Sequence, residues 1–200
     1  MAMKRYIILF LIGGLLYSCS NGKISQRKQF HDSIVIFFIP IFASEMPYDT
    51  ALIKLSQKPG IKETIFVKHT DYLTIKSFIE HPKRITSKKI GVGEAYIKSN
   101  RGELFITQFC PLAKDMDGHP IEMTMDMAYL INKNAKIYNY FEKDEIMLNP
   151  LYKSYTFPSD YNFYFNRYVN MYKTGESTID STFLKIWAGV KILLVDESEK

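Results

Sequence analysis

Two β-prone runs joined by a four-residue turn constrain this chain more than any other local feature. Gly93 to Lys98 reads as one strand and Glu103 to Cys110 as its return, with Ser99-Asn100-Arg101-Gly102 between them. β-Branched and aromatic residues suit a pleated surface, whereas Ser, Asn and Gly suit a turn, so the stretch predicts a β-hairpin. A hairpin alone is marginal in water and must bury one face against further strands or helices.

Those partners are legible on both sides. Ser33 to Phe42 is a β-branched and aromatic run that predicts a buried strand, with Pro40 marking an end or edge. Ala51 to Leu55 suits a short strand or a turn of helix, and Pro59-Gly60 breaks the chain. Glu63 to His69 predicts a second strand. Asp71 is placed to cap a helix in which Tyr72, Ile75, Phe78 and Ile79 share a face, and Pro82 stops it. After the hairpin comes a loop, Pro111 to Pro120. Thr124 then caps a helix carrying Met127, Leu130 and Ile131, with Asn134 as its terminator, and Ala135 to Phe141 predicts another strand. Strand–strand–helix thus recurs at 34–80 and 92–134, without residue identity between the copies. The expected fold is α+β: an antiparallel sheet with helices packed on one face.

The last third is aromatic. Tyr152 to Tyr172 holds nine aromatics in 21 residues. Pro158-Ser159-Asp160 suits a helix entry, after which Tyr161, Tyr164, Phe165, Tyr168 and Tyr172 fall on one helical face. A further helix is expected over Ile179 to Trp187 and a closing strand over Gly189 to Val195, followed by a charged, solvated tail.

The first nineteen residues follow a different logic. Lys4 and Arg5 precede an apolar run, Tyr6 to Leu16, that is too short to span a bilayer comfortably. Small Ser18 then precedes Cys19. Charge, a short apolar segment and a small-residue processing site in that order make a secretory signal. Leu16-Tyr17-Ser18-Cys19 resembles the lipobox of bacterial lipoproteins, although Tyr17 stands where that family more often has a small residue. The resemblance implies a diacylglycerol on the Cys19 thiol, cleavage just before it and an acylated new amino terminus. Two or more acyl chains anchor stably where one does not, at roughly 0.8 kcal/mol per buried methylene. Residues 1–18 are then the signal, 19–32 the lipidated cysteine with a polar tether, and 33–200 a single α+β domain. Ser20, in place of the Asp that retains some lipoproteins at the inner membrane, directs the expectation to the outer membrane of a bacterial envelope.

Composition narrows the function classes. Without Lys4 and Arg5 the 26 basic residues fall to 24, against 21 acidic ones. That balance is too mild for nucleic-acid binding, and no basic stripe is present. If Cys19 carries lipid, Cys110 has no partner within the chain, so the fold does not rest on disulfides. At the end of an apolar run, Cys110 reads as a small hydrophobe rather than a nucleophile.

Chemistry-bearing clusters are few. Tyr161, Tyr164, Tyr168 and Tyr172 are the candidate binding residues, since tyrosine offers a flat apolar ring and a hydroxyl to proteins and sugars. The competing reading packs the same rings on the sheet as core. Asp115, Asp117 and His119, with Glu122 nearby, could supply hard-cation ligands, but the spacing lacks the third acid of a calcium loop, and a polar Asp-Gly turn is the better account. His69 and Asp71 could form an acid–base pair, although capping already explains Asp71. His31 and His81 have no evident partners. No GxSxG, Walker, HExxH or CxxC element occurs. The expectation is therefore a non-enzymatic envelope module, held to the membrane through Cys19, that binds a protein or glycan partner and needs no cofactor or metal. The alternative is an envelope hydrolase in which some of His69, Asp71, Asp115, Asp117 and His119 meet in one cleft.

Overall fold

The computed structural model describes residues 32–40, 49–57, 61–86, 93–163 and 189–200. The expected signal, Cys19, Tyr164, Tyr168, Tyr172 and the expected helix 179–187 lie outside them. The strands are β1 (Ile34–Phe38), β2 (Ile61–Val67), β3 (Ala95–Lys98), β4 (Glu103–Ile106), β5 (Ala113–Lys114), β6 (Pro120–Ile121) and β7 (Val190–Asp196). The helices are α1 (Asp49–Gln57), α2 (His69–Glu80), α3 (Met125–Ala135), α4 (Lys143–Leu148) and α5 (Pro150–Ser154). All seven strands form one sheet in the order β2-β7-β1-β3-β4-β5-β6. The fold is α+β.

The expected hairpin is β3–β4, antiparallel in the register Ala95↔Ile106 to Lys98↔Glu103. Its Gly102 answers a packing demand. A Cβ there would sit 2.2 Å from the Ile79 carbonyl oxygen, so the last turn of α2 rests directly on the turn backbone. Backbone cannot swing aside as a flexible side chain can. Gly102→Ala is expected to destabilise the fold by about 1–3 kcal/mol, the range for overpacking, read as a lowered urea midpoint at unchanged slope.

The sheet departs from the antiparallel expectation. β7 lies between β1 and β2, antiparallel to the first and parallel to the second. The two strand–strand–helix stretches are therefore not equivalent units, because β1 and β2 are separated by the last strand of the chain. Period-two alternation sends Ile34, Ile36 and Phe38 to one face of the sheet and Phe37 to the other. The first face carries the main core, with Tyr72, Ile75 and Ile79 of α2 and Ala128, Ile131 and Ala135 of α3. The second face corrects another expectation, helices on one side only. There Leu52 of α1 packs against Phe37, Ile39, Tyr96 and Phe105. Polar contacts fasten α1 at both ends. Asp49 accepts from the Gly93 amide at 3.0 Å and pairs with the buried Lys114 ammonium at 2.8 Å. The Lys191 ammonium, on β7, donates to the Ser56 carbonyl at 2.8 Å.

Further local differences have physical reasons. Thr124 caps α3 as expected, accepting from the Met127 amide. The helix ends beyond Asn134, where Lys136 turns left-handed with φ 51°. That turn leads Ile137–Tyr140 into a buried 3-10 turn, although Ala135 to Phe141 looked strand-like. His69 opens α2 instead of closing β2, so Asp71 falls inside the first turn and caps nothing. Its carboxylate accepts from the Asn134 side chain at 3.2 Å, which ties α2 to α3. The loop 111–120 contains β5 and leads into β6, a pair too short to announce itself by alternation. Pro158-Ser159-Asp160 starts no helix within the described residues, and Tyr161 to Phe163 is irregular.

Candidate functional site

Strand directions gather polar groups at one end of the sheet. The start of β1 and the ends of β2, β3 and β7 lie together there. Asp32, just before β1, pairs with Lys76 of α2 and accepts from the Asn100 amide at 3.0 Å. His69 Nδ1 meets Asp196 Oδ2 at 2.5 Å, and the other Asp196 oxygen accepts from the Ser198 amide at 2.9 Å. That amide bond and His69 together hold the Asp196 carboxyl below its usual range. Tyr72 is buried beneath these groups; burial, then the Asp32 charge, pushes its phenol far above the ordinary value. His69 remains 58% exposed and Asp196 10% exposed, so the carboxylate fixes one ring nitrogen while much of the imidazole meets solvent. Among the described residues no hydroxyl or thiol hydrogen-bonds to that ring.

The second cluster is the turn between β5 and β6. Asp115 Oδ1 accepts the backbone amides of Asp117 at 3.0 Å and His119 at 2.8 Å. Arg84 approaches Asp115 at 2.6 Å and Asp117 at 3.7 Å. One ligand atom from each of Asp115, Asp117 and His119 falls within 4.8 Å of the others. One guanidinium pairs with both carboxylates across this Asp-Gly turn, in which Gly118 has φ 85°. Burial opposes ionisation of Asp115, but the His119 amide, the Arg84 charge and the Asp117 amide outweigh it and lower its pKa. A depressed carboxyl contributes stability above its unfolded value, about 3.9, and that contribution is lost as pH falls through the folded value. Asp115→Asn should therefore lose less stability on acidification than the parent below about pH 4, measured by urea titrations stepped from neutral to acid.

The two clusters are not one site. His69 and Asp71 follow β2 at one edge of the sheet, whereas Asp115, Asp117 and His119 join β5 to β6 at the other. Of the five residues named for a hydrolase, Asp115, Asp117 and His119 meet in the β5–β6 turn, and His69 and Asp71 stand apart from them. Burial and then the Glu94 charge push the Cys110 thiol up, away from the thiolate a nucleophile needs.

The aromatic segment forms a continuous row of rings over α3 and α5. Tyr129 and Tyr155 stack at 4.2 Å with 9° between planes, and the Tyr155 hydroxyl hydrogen-bonds to Asp126. Tyr152 links Tyr129 to Phe157 at centroid distances of 6.2 and 6.1 Å. Phe157 meets Tyr161 edge to face at 5.2 Å, and Tyr161 lies parallel to Phe163 at 6.5 Å. Tyr152 is buried; Tyr129, Tyr155, Phe157, Tyr161 and Phe163 are each partly exposed. Tyr161, a candidate from sequence, packs against the core and donates its hydroxyl to the Phe141 carbonyl at 2.9 Å. Next to it the Asn162 amide donates to the buried Asn139 side chain at 2.9 Å. Tyr161 is thus a fixed ring. Of the described sequence candidates only it belongs to the row; Tyr129 and Asp126 were missed, because their spacing reads as ordinary helix surface.

No family model matches the chain, and neither a curated protein nor a solved structure matches it significantly. Among the described residues no helix is long and apolar enough to cross a membrane.

Proposed function

We propose that this chain is a lipid-anchored protein of the bacterial cell envelope, probing its surroundings with a non-enzymatic α+β domain that binds a protein or glycan partner. The anchor rests on the signal-like start and Cys19. The binding role rests on one observation, the row of mostly partly exposed rings from Tyr129 to Phe163. Large rings held rigidly by packing lose little freedom on binding and bring apolar area together with a polar handle. Tyr164, Tyr168 and Tyr172 extend the proposal by sequence alone.

The test is recovery of the full-length protein from its native membranes beside a Cys19→Ala control, with partners read by mass spectrometry. A stoichiometric partner that is lost in the control supports the reading. Equal membrane association of the two proteins removes the anchor, and partnerless recovery removes the binding role.

A further inference from the structure

The row of rings ends beside an acidic stretch. Together the two specify a class of partner, an inference that rests on the binding-module reading and deepens it. α4 starts Glu142-Lys143-Asp144-Glu145, all four exposed. Glu142 and Glu145 close a capping box around the helix start. Burial and then the charges of Glu142, Glu145 and Asp144 push the Tyr161 phenol up. Lys143, which sits among those acids, lies over Phe157, the ring next to Tyr161, so carboxylates and partly exposed rings share one ledge.

Each component attracts cations for its own reason. An aromatic face carries negative quadrupolar charge and draws an ammonium or guanidinium within about 6 Å of its centre. The protein already makes this contact at the ledge: Lys143 Nζ lies 5.4 Å from the Phe157 centroid. Three carboxylates stand against that one lysine in residues 142–145, so the local charge is negative although the whole chain is positive. A neutral sugar would stack on the rings and leave that charge unanswered, whereas Lys or Arg side chains of a partner answer both features.

We propose that Tyr161 and Phe163, with Asp144 and Glu145, dock a basic segment of a partner protein, its Lys or Arg stems lying on the rings and their charges facing the carboxylates. The assignment uses the parallel pair of rings, Tyr161 fixed through Phe141, and the exposed acids of α4 as one surface.

Fluorescence anisotropy on the full-length chain in detergent tests this with three labelled probes: a short peptide alternating Lys or Arg with Gly, its Glu-containing counterpart, and a neutral maltooligosaccharide. The basic peptide should bind in preference to both others and weaken as salt is raised. Asp144→Lys, an exposed change that spares the core, should weaken it roughly tenfold by placing like charges together. Phe163→Ala should weaken it about threefold, the scale of an exposed cation–π contact. Tyr161→Phe, which keeps the ring, should retain it. Equal binding of the acidic and basic peptides, or indifference to Asp144→Lys, overturns the proposal. Preferential ring-dependent binding of the oligosaccharide also overturns it, but leaves the binding-module reading standing. If no probe binds while a native partner is recovered through Cys19-dependent capture, the basic-segment assignment fails alone.

Discussion

A chain ending at Gly189 should not fold. β7 supplies Val190, Ile192, Leu194 and Val195, all fully buried, and it is the strand that joins β1 to β2. At about 1.5–3 kcal/mol per buried side chain, those four contribute roughly 6–12 kcal/mol. A domain of this kind has about 5–15 kcal/mol in total. Removal also strips the hydrogen-bonding partner from the whole length of β2 and from one side of β1. The truncated protein should lack a cooperative thermal transition by circular dichroism and should bind a hydrophobic dye. A sigmoidal transition within a few degrees of the parent would show that the sheet does not depend on β7.

The second large effect concerns the pair that fastens α1. Lys114 is only 6% exposed in its side chain, and Asp49 is its carboxylate partner. Asp49→Ala should cost about 2–4 kcal/mol, because it takes a carboxylate away from a buried ammonium and removes the acceptor of the Gly93 amide. The partial exposure of Asp49 keeps the figure below the fully buried limit. Lys114→Met removes the charge itself, and with it the contact of the ammonium with the Phe105 ring, but keeps an apolar stem and leaves no buried ion, so it should cost less than Asp49→Ala. Chemical denaturation of the two variants side by side measures the asymmetry. Equal losses would mean that the pair acts through attraction alone and that desolvation of Lys114 is unimportant.

Local chemistry was readable where local chemistry decides. The β3–β4 turn, the Thr124 cap and the β-branched and aromatic run of β1 each depend on residues within a few positions of one another, and each stands in the structure. Contacts across long separations were not readable. His69 finds Asp196, not its neighbour Asp71, across 127 positions. The parallel pairing of β2 with β7 is equally remote, and nothing in the composition of either strand states it. Ile137, Tyr138 and Tyr140 have the side chains of a strand, but left-handed Lys136 turns the backbone into a tighter winding in which all three are buried. Propensity described those side chains as half-buried and β-prone, and tertiary packing chose the conformation. The site was legible in part. Its aromatic richness could be seen, whereas the pairing of rings with Asp126 and with the acids of α4 required the fold.

The place of the last strand also sets a clock. A chain delivered from its amino end presents β1 with one flank unfilled, and β2 with no neighbour among the described strands, until β7 arrives. Closing the sheet then means joining segments more than 150 positions apart, and such distant pairings form slowly. Until β7 pairs, the sheet stays open between β1 and β2.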